Sequence, residues 1–177
     1  KNELSASYQN QIVNAIKLFF KTIQQSKIDI SLVHRPKRYN PLPKVLAIEE
    51  ISKIINALDN IKHKCMISLI YSAGLRRSEL LNMKINHIDS KRMELFIEHS
   101  KGRKDRVVPL SSTVLQLLRS YYKAYQPKDF LFEGQSGGNY SERSLALVLK
   151  SACQKAGIKK HVNLHMLRHS YATHLLE

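Results

Sequence analysis

Met93-Glu-Leu-Phe-Ile-Glu98-His-Ser-Lys101-Gly-Arg103-Lys104-Asp105-Arg106-Val-Val-Pro-Leu110 sets the fold class, because its apolar period is two while the sequence around it repeats at 3.6. Two short β-type runs, Met93 to Glu98 and Arg106 to Leu110, flank the cationic, glycine-bearing segment Lys101–Asp105, and this order predicts a β-hairpin. The neighbouring patterns are helical: Ile48 to Leu58, Lys62 to Ala73 closed by Gly74, Arg77 to Met83, Thr113 to Lys123, Ser141 to Lys155, and Leu164 onward. Phe130-Leu-Phe132 reads as a short strand or extended piece between two of these helices. The expected class is mainly α (α+β), a helical domain carrying a small antiparallel sheet.

Working toward the N-terminus, Ile12, Ala15, Ile16, Phe19, Phe20 and Ile23 recur at the spacing of an amphipathic helix between about Ser5 and Gln25, with Ser5 or Ser7 as its cap. One helix cannot bury that stripe by itself, so the segment either packs on the rest of the chain or, the favoured reading, is the remnant of a separate helical domain. The stretch His34-Arg35-Pro-Lys37-Arg38-Tyr-Asn-Pro-Leu-Pro-Lys44 follows, and its prolines rule out a helix. It reads as a linker, whose four cations suit either a strap along a DNA backbone or a solvated connector. No internal repeat is present. The loop Gly134 to Asn139 is no phosphate cradle, since no strand leads into it and no GK[ST] follows.

The chain has 177 residues, enough for one domain plus part of another. Its 29 Lys and Arg against 14 Asp and Glu give a formal charge of +15 and, with a pI of about 9.9, point to a polyanionic partner, with nucleic acid ahead of a generic basic surface. Anionic membrane binding would need a basic amphipathic helix with bulky apolar anchors, and neither such a helix nor any Trp is present. No apolar run has membrane-spanning length, and the start lacks the charged-then-apolar order of a signal peptide, so an intracellular protein is expected. Cys65 and Cys153 lack metal-ligand spacing and are expected to be reduced, buried apolar residues.

Three places hold cations that local packing does not require. In Ser72-Ala-Gly74-Leu-Arg76-Arg77-Ser-Glu79-Leu-Leu81 one helix ends and another begins, which sets a guanidinium beside the N–H groups of a helix start. Both favour a phosphate oxygen, although such a junction is also a common structural device. Glu79 either orients Arg76 or caps the helix. The hairpin tip crowds Lys101, Arg103, Lys104 and Arg106 against a single Asp105, and reads either as a solvated turn or as the carrier of a lysine that protonates a leaving oxygen. In His165-Met-Leu-Arg168-His169, spacing by three puts an imidazole and a guanidinium on one helical face. His161, His165, His169 and His174 also recur at near-helical spacing, but no carboxylate or cysteine joins them and Arg168 would repel a cation, so no metal site is expected. His34, His63, His87 and His99, with His169 and His174, read as structural histidines.

In order and context these three motifs resemble the tyrosine recombinase (phage integrase) family: AGLRRSEL carries its first arginine, SKGRKDRVVPL its hairpin lysine and HMLRHSYATHLLE its His-x-x-Arg box. The resemblance implies a catalytic domain from residue 46 to 177, a linker over 39–45, and over 1–38 the last part of a helical core-binding domain. It implies Arg76 and Arg168 as the clamp on a scissile phosphate, Lys101 as general acid with Lys104 as the fallback, His165 as acid/base and phosphate ligand, and Glu79 in support. Arg35, Lys37, Arg38, Lys44, Arg77, Arg103 and Lys104 are the expected DNA contacts. The implied activity is site-specific recombination, cutting and rejoining duplex DNA through a 3′-phosphotyrosyl intermediate. It needs no cofactor or metal; the partners are a specific duplex site and other protomers on it, and the setting is the prokaryotic cytoplasm and nucleoid.

The family's tyrosine nucleophile lies beyond the His-x-x-Arg helix, and the sequence ends at Glu177 inside an apolar helical pattern, so the chain is expected to be cut short before it and to bind DNA without cleaving it. Tyr171 shares a face with Arg168, but helical packing accounts for it. Tyr121, Tyr122 and Tyr125 read as helix surface or core, Tyr140 opens a helix, and Tyr39 sits in the linker. The competing readings are a non-catalytic DNA-binding regulator with the same fold and a type IB topoisomerase-like enzyme. From the charge excess, affinity for duplex DNA is expected to fall steeply with salt; a binding constant nearly flat from low to physiological salt would overturn the nucleic-acid reading.

Overall fold

Cys65 to Ile70 form an unbroken run of buried residues, so the helix that carries them needs partners on every side. This helix, α3 (Ile61–Ser72), starts where the Asn60 side chain accepts hydrogen bonds from the Lys62 and His63 N–H groups. The computed structural model describes residues 4–23, 44–100, 104–135 and 137–177. Its chain divides into two compact units, 1–42 and 43–177. In the first, α1 (Ala6–Thr22) is capped by the Ser5 hydroxyl, which accepts from the Tyr8 N–H at 3.3 Å. Of the expected linker, 39–45, only Lys44 and Val45 are among the described residues, and Arg35, Lys37 and Arg38 also lie outside them.

In the second unit α3 is the hub. It packs most extensively on α5 (Ser112–Tyr125) and α7 (Leu164–His174), and also meets α2 (Ile48–Asn56), α4 (Arg77–Leu81) and α6 (Glu142–Lys155). Short polar caps start these helices: Ser111, Ser141 and Asn163 accept from the N–H groups of Val114, Ser144 and Met166, while Glu50 closes back on the Ala47 N–H at 2.8 Å. Cys65 and Cys153 are free and buried, and burial pushes the Cys65 thiol up to about 12, which leaves it an inert packing residue. Phe130-Leu-Phe132 is an extended piece: Phe130 bridges Lys84, and Leu131 and Phe132 are buried. The Tyr121 hydroxyl donates to the Leu131 carbonyl at 2.8 Å, so a buried phenol meets its hydrogen-bonding need inside the core.

The hairpin forms as β2 (Glu94–Ser100) antiparallel to β3 (Lys104–Pro109), with Phe96 opposite Val107 and Ile97 opposite Arg106. A third strand, β1 (Ile88–Asp89), pairs with β2; two residues are too few to show a period, so the sequence pattern misses it. Met93 does not join β2 as expected. It takes a left-handed conformation, φ 58°, to turn the chain between β1 and β2.

The end of α3 is fixed by Gly74. Its φ of 57° lies in the left-handed region that terminates helices, and a Cβ built on it would sit 2.5 Å from Cδ1 of Tyr171 on α7. The tyrosine ring therefore lies against the bare α-carbon. One turn earlier on α7, Arg168 donates to the Gly74 carbonyl. The fully buried Ser170 hydroxyl donates to the Met166 carbonyl and accepts from the Leu46 N–H at 2.9 Å, joining α7 to the first residues of the unit. Gly74→Ala is expected to lose about 2 to 5 kcal/mol of unfolding free energy, combining the left-handed penalty with overpacking on Tyr171. Chemical denaturation measures it, and a loss within error of zero would contradict this packing.

Candidate active site

Immediately after Gly74 the chain passes through buried Leu75 to Arg76, the N-cap of α4. Arginine has no cap acceptor, and the helix start is closed from inside by Glu79: one carboxylate oxygen accepts from the Arg76 N–H at 2.7 Å, the other from Arg76 Nη1 at 2.6 Å. One side chain thus caps α4 and aims the guanidinium. Arg106 on β3 reaches the same carboxylate with both prongs, Nη1 to Oε1 at 3.1 Å and Nη2 to Oε2 at 2.8 Å. Arg168 on α7 brings Nη1 to 3.9 Å from Oε2 while it donates to the Gly74 carbonyl. A carboxylate only 5% exposed faces three guanidiniums from three elements.

Burial by itself would raise the Glu79 carboxyl. The hydrogen bonds from the Arg76 backbone and side chain, with the charge and hydrogen bonds of Arg106, outweigh it and hold the group below the ordinary carboxylate range. Arg168 is pulled below the usual guanidinium value by burial first, then by the charges of Arg76 and Arg106, with Glu79 opposing; arginine stays cationic at any physiological pH. Three cations around one anion leave a surplus of positive charge at a partly buried spot, which favours an anion.

That surplus opens onto a groove of about 950 Å³ lined by Arg76, Arg168 and His165, with Arg143, Lys150 and Lys159 along its wall. His165 is exposed in the first turn of α7, its ring 4.1 Å from that of His169 in an edge-to-face arrangement. Partial desolvation, then the charges of His169, Arg168 and Arg76, lower its pKa, so at neutral pH it is a neutral imidazole beside two guanidiniums. Such a set can grip a tetrahedral anion and pass a proton to or from an oxygen of it.

Of the residues singled out in the sequence, the structure brings Arg76, Glu79, His165 and Arg168 together. Arg77 lines the same groove, half exposed, and pairs with Glu142 at 2.8 Å, tying α4 to α6. Lys44 is exposed near the start of the second unit. Lys101 and Arg103 lie outside the described residues, as does the Lys104 side chain. His63 pairs with the Tyr140 hydroxyl at 3.1 Å, His174 with that of Tyr71 at 3.0 Å, and His87 with Glu98 at 3.4 Å while its other nitrogen accepts from the Lys84 N–H, so each has a structural role. Tyr171 is committed to the Gly74 contact and does not line the groove. Among the described residues no group of three or more His, Cys, Asp or Glu side chains is placed to hold a metal.

Arg106 is the member missed by motif reading, which counted it with the crowded hairpin tip. The signal was its phase: along β3 Asp105, Val107 and Pro109 are exposed, whereas Arg106, Val108 and Leu110 share the inward face. A cation in the inward phase requires an anion, and Glu79 supplies it.

Residues 44–177 match the sequence model of the phage integrase family. The tyrosine recombinase XerA of Pyrococcus horikoshii is 34% identical over 181 residues, covering all of this chain and 62% of its own length. XerC of Bacillus subtilis is 32% identical over 182 residues, covering 93% and 60%. A crystal structure of the XerH site-specific recombinase, bound to its difH substrate in a pre-cleavage complex, superposes with a TM-score of 0.79 at 25% identity, over 97% of this chain and 55% of that one. The chain spans roughly half to two thirds of the length of the curated relatives it matches.

Because the folded state disfavours the His165 imidazolium, its contribution to stability is complete above the unfolded value of about 6.5 and is lost as pH falls through the lower folded value. An imidazole NMR titration is expected to place His165 below 6.5, and His169→Ala to move it upward. An inflection at or above about 6.5 in the native chain would mean that neither partial burial nor the neighbouring cations act on this ring.

Proposed function

This chain belongs to the phage integrase family, and on that premise we propose that it is the phosphate-binding part of a site-specific DNA recombinase. The observation that carries the reading is the meeting of Arg76 and Arg168, 92 positions apart in the numbering, at one groove that His165 also lines. Transesterification at a phosphodiester adds negative charge to the nonbridging oxygens, and two pre-aimed guanidiniums stabilise that charge without reorganising. His165, neutral near pH 7, is suited to hold a nonbridging oxygen through a ring N–H and to exchange a proton with the reacting groups.

In the full reaction a tyrosyl oxygen attacks phosphorus, the P–O5′ bond breaks, and the departing 5′ oxygen takes a proton from the hairpin lysine, Lys101 or Lys104. Five of the described tyrosines are engaged elsewhere. The phenols of Tyr71, Tyr121, Tyr125 and Tyr140 are hydrogen-bonded to His174, the Leu131 carbonyl, Asn60 and His63, and the Tyr171 ring is packed on Gly74. The family's attacking tyrosine follows the His-x-x-Arg helix, so the role is assigned outside these five, and this part of the protein is assigned to holding duplex DNA at the phosphate. Residues 1–38, with α1, are assigned to the end of a core-binding domain, and Lys44, Arg77, Arg143, Lys150 and Lys159 to the DNA backbone, where they would fix register rather than read sequence. The working assembly is several protomers on one recombination site, acting at the nucleoid; among the described residues no helix is long and apolar enough to cross a membrane.

In the gene product that carries this chain, Arg76→Ala and Arg168→Ala are each expected to lower strand cleavage on the order of 100- to 1,000-fold. Duplex binding should remain close to native, because many other cations meet the backbone. A suicide substrate that traps the covalent intermediate reads the cleavage and a gel shift reads the binding. Near-normal trapping by either variant would remove that arginine from the reaction.

A further inference from the structure

Glu79 poses an electrostatic problem for the clamp. It must touch Arg76 to aim it, yet a carboxylate 2.6 Å from one clamp arginine and 3.9 Å from the other is placed to cancel the charge the phosphate needs. Arg106 answers this by geometry. Its two-pronged contact reaches both Glu79 oxygens, at 3.1 and 2.8 Å, in the fork arrangement that is the strongest form of a guanidinium–carboxylate pair. The residue is held in place by its strand, where it stands opposite Ile97, a buried position of β2. Arg106 is not among the residues that line the groove with Arg76 and Arg168, and both prongs of its guanidinium engage the carboxylate.

We propose that Arg106 is a positioning residue of the phosphate clamp: by engaging both oxygens of Glu79 it lets that carboxylate orient Arg76 without neutralising Arg76 and Arg168. The proposal rests on the clamp reading given above. Its signature is a coupling with sign. Loss of Arg106 weakens phosphate binding because Glu79 then turns its charge on the clamp, and loss of Glu79 as well removes the cause.

The probe is inorganic phosphate, titrated into the chain at constant ionic strength and followed through the Nε–H signals of Arg76 and Arg168. Arg106→Gln is expected to weaken binding by about tenfold or more. Glu79→Gln/Arg106→Gln should recover part of that loss, binding at least about threefold more tightly than Arg106→Gln alone, and Arg106→Lys, which keeps the charge but loses the fork, should fall between Arg106→Gln and the native chain. An equal loss from Arg106→Gln whether or not Glu79 is present, or no loss at all, overturns the proposal. If Arg106→Gln alone does not fold, the double variant is compared with Glu79→Gln, since neither holds a buried carboxylate without its partner: equal affinities support action through Glu79, and a further loss of about tenfold in the double variant overturns it. The underlying reading fails separately, and the proposal with it, if Arg168→Ala leaves the phosphate response of the otherwise native chain unchanged.

Discussion

A single missing side chain holds this domain together. At Gly74 the central helix α3 must stop and turn back, which needs a left-handed residue, and the ring of Tyr171 occupies the space where a Cβ would stand. Because that contact brings α7 against the end of α3, Arg168 reaches the Gly74 carbonyl from the preceding turn, and Arg76 begins α4 two residues further along. The two arginines proposed to share a phosphate are thus positioned by one close approach of backbone and ring. Ser170 adds a second tie from the same helix to Leu46, which restricts how far α7 can shift.

The electrostatic design follows from that packing. Three guanidiniums so near one another would repel, and a partly buried site could not hold them without an anion. Glu79 is that anion. It is 5% exposed, it closes the start of a five-residue helix too short to be stable alone, and it touches arginines from α4, β3 and α7. Within this network Glu79 is the buried charge, so removing Arg76 or Arg106 leaves a carboxylate with fewer partners, which is costly. The network's surplus of positive charge faces the groove, where His165 is kept neutral by its partial burial and by the same cations.

Much of this was legible before any coordinates. The change of period between Met93 and Leu110 announced a sheet within a helical chain, Gly74 announced a helix end, and the order of AGLRRSEL, SKGRKDRVVPL and HMLRHSYATHLLE identified the family to which the chain belongs. These signals are local: a period, a turn residue and a spacing each depend on a few neighbours along the chain. Two-residue β1 and the left-handed Met93 escaped notice because neither is long enough to carry a period.

The sequence by itself determined the α+β class and the basic character, and its resemblance to the family grouped Arg76, Glu79, Lys101, His165 and Arg168, since composition and motif order are written along one dimension. Only the tertiary structure decided how those among the described residues meet. That Glu79 answers to three arginines and not one, that Arg106 belongs with it instead of with the hairpin tip, and that Tyr171 is a packing ring against Gly74 are consequences of distance in space. Charge–charge and van der Waals interactions act over a few ångströms, and residues 79, 106 and 168 come within that range only once α4, β3 and α7 have been brought around α3.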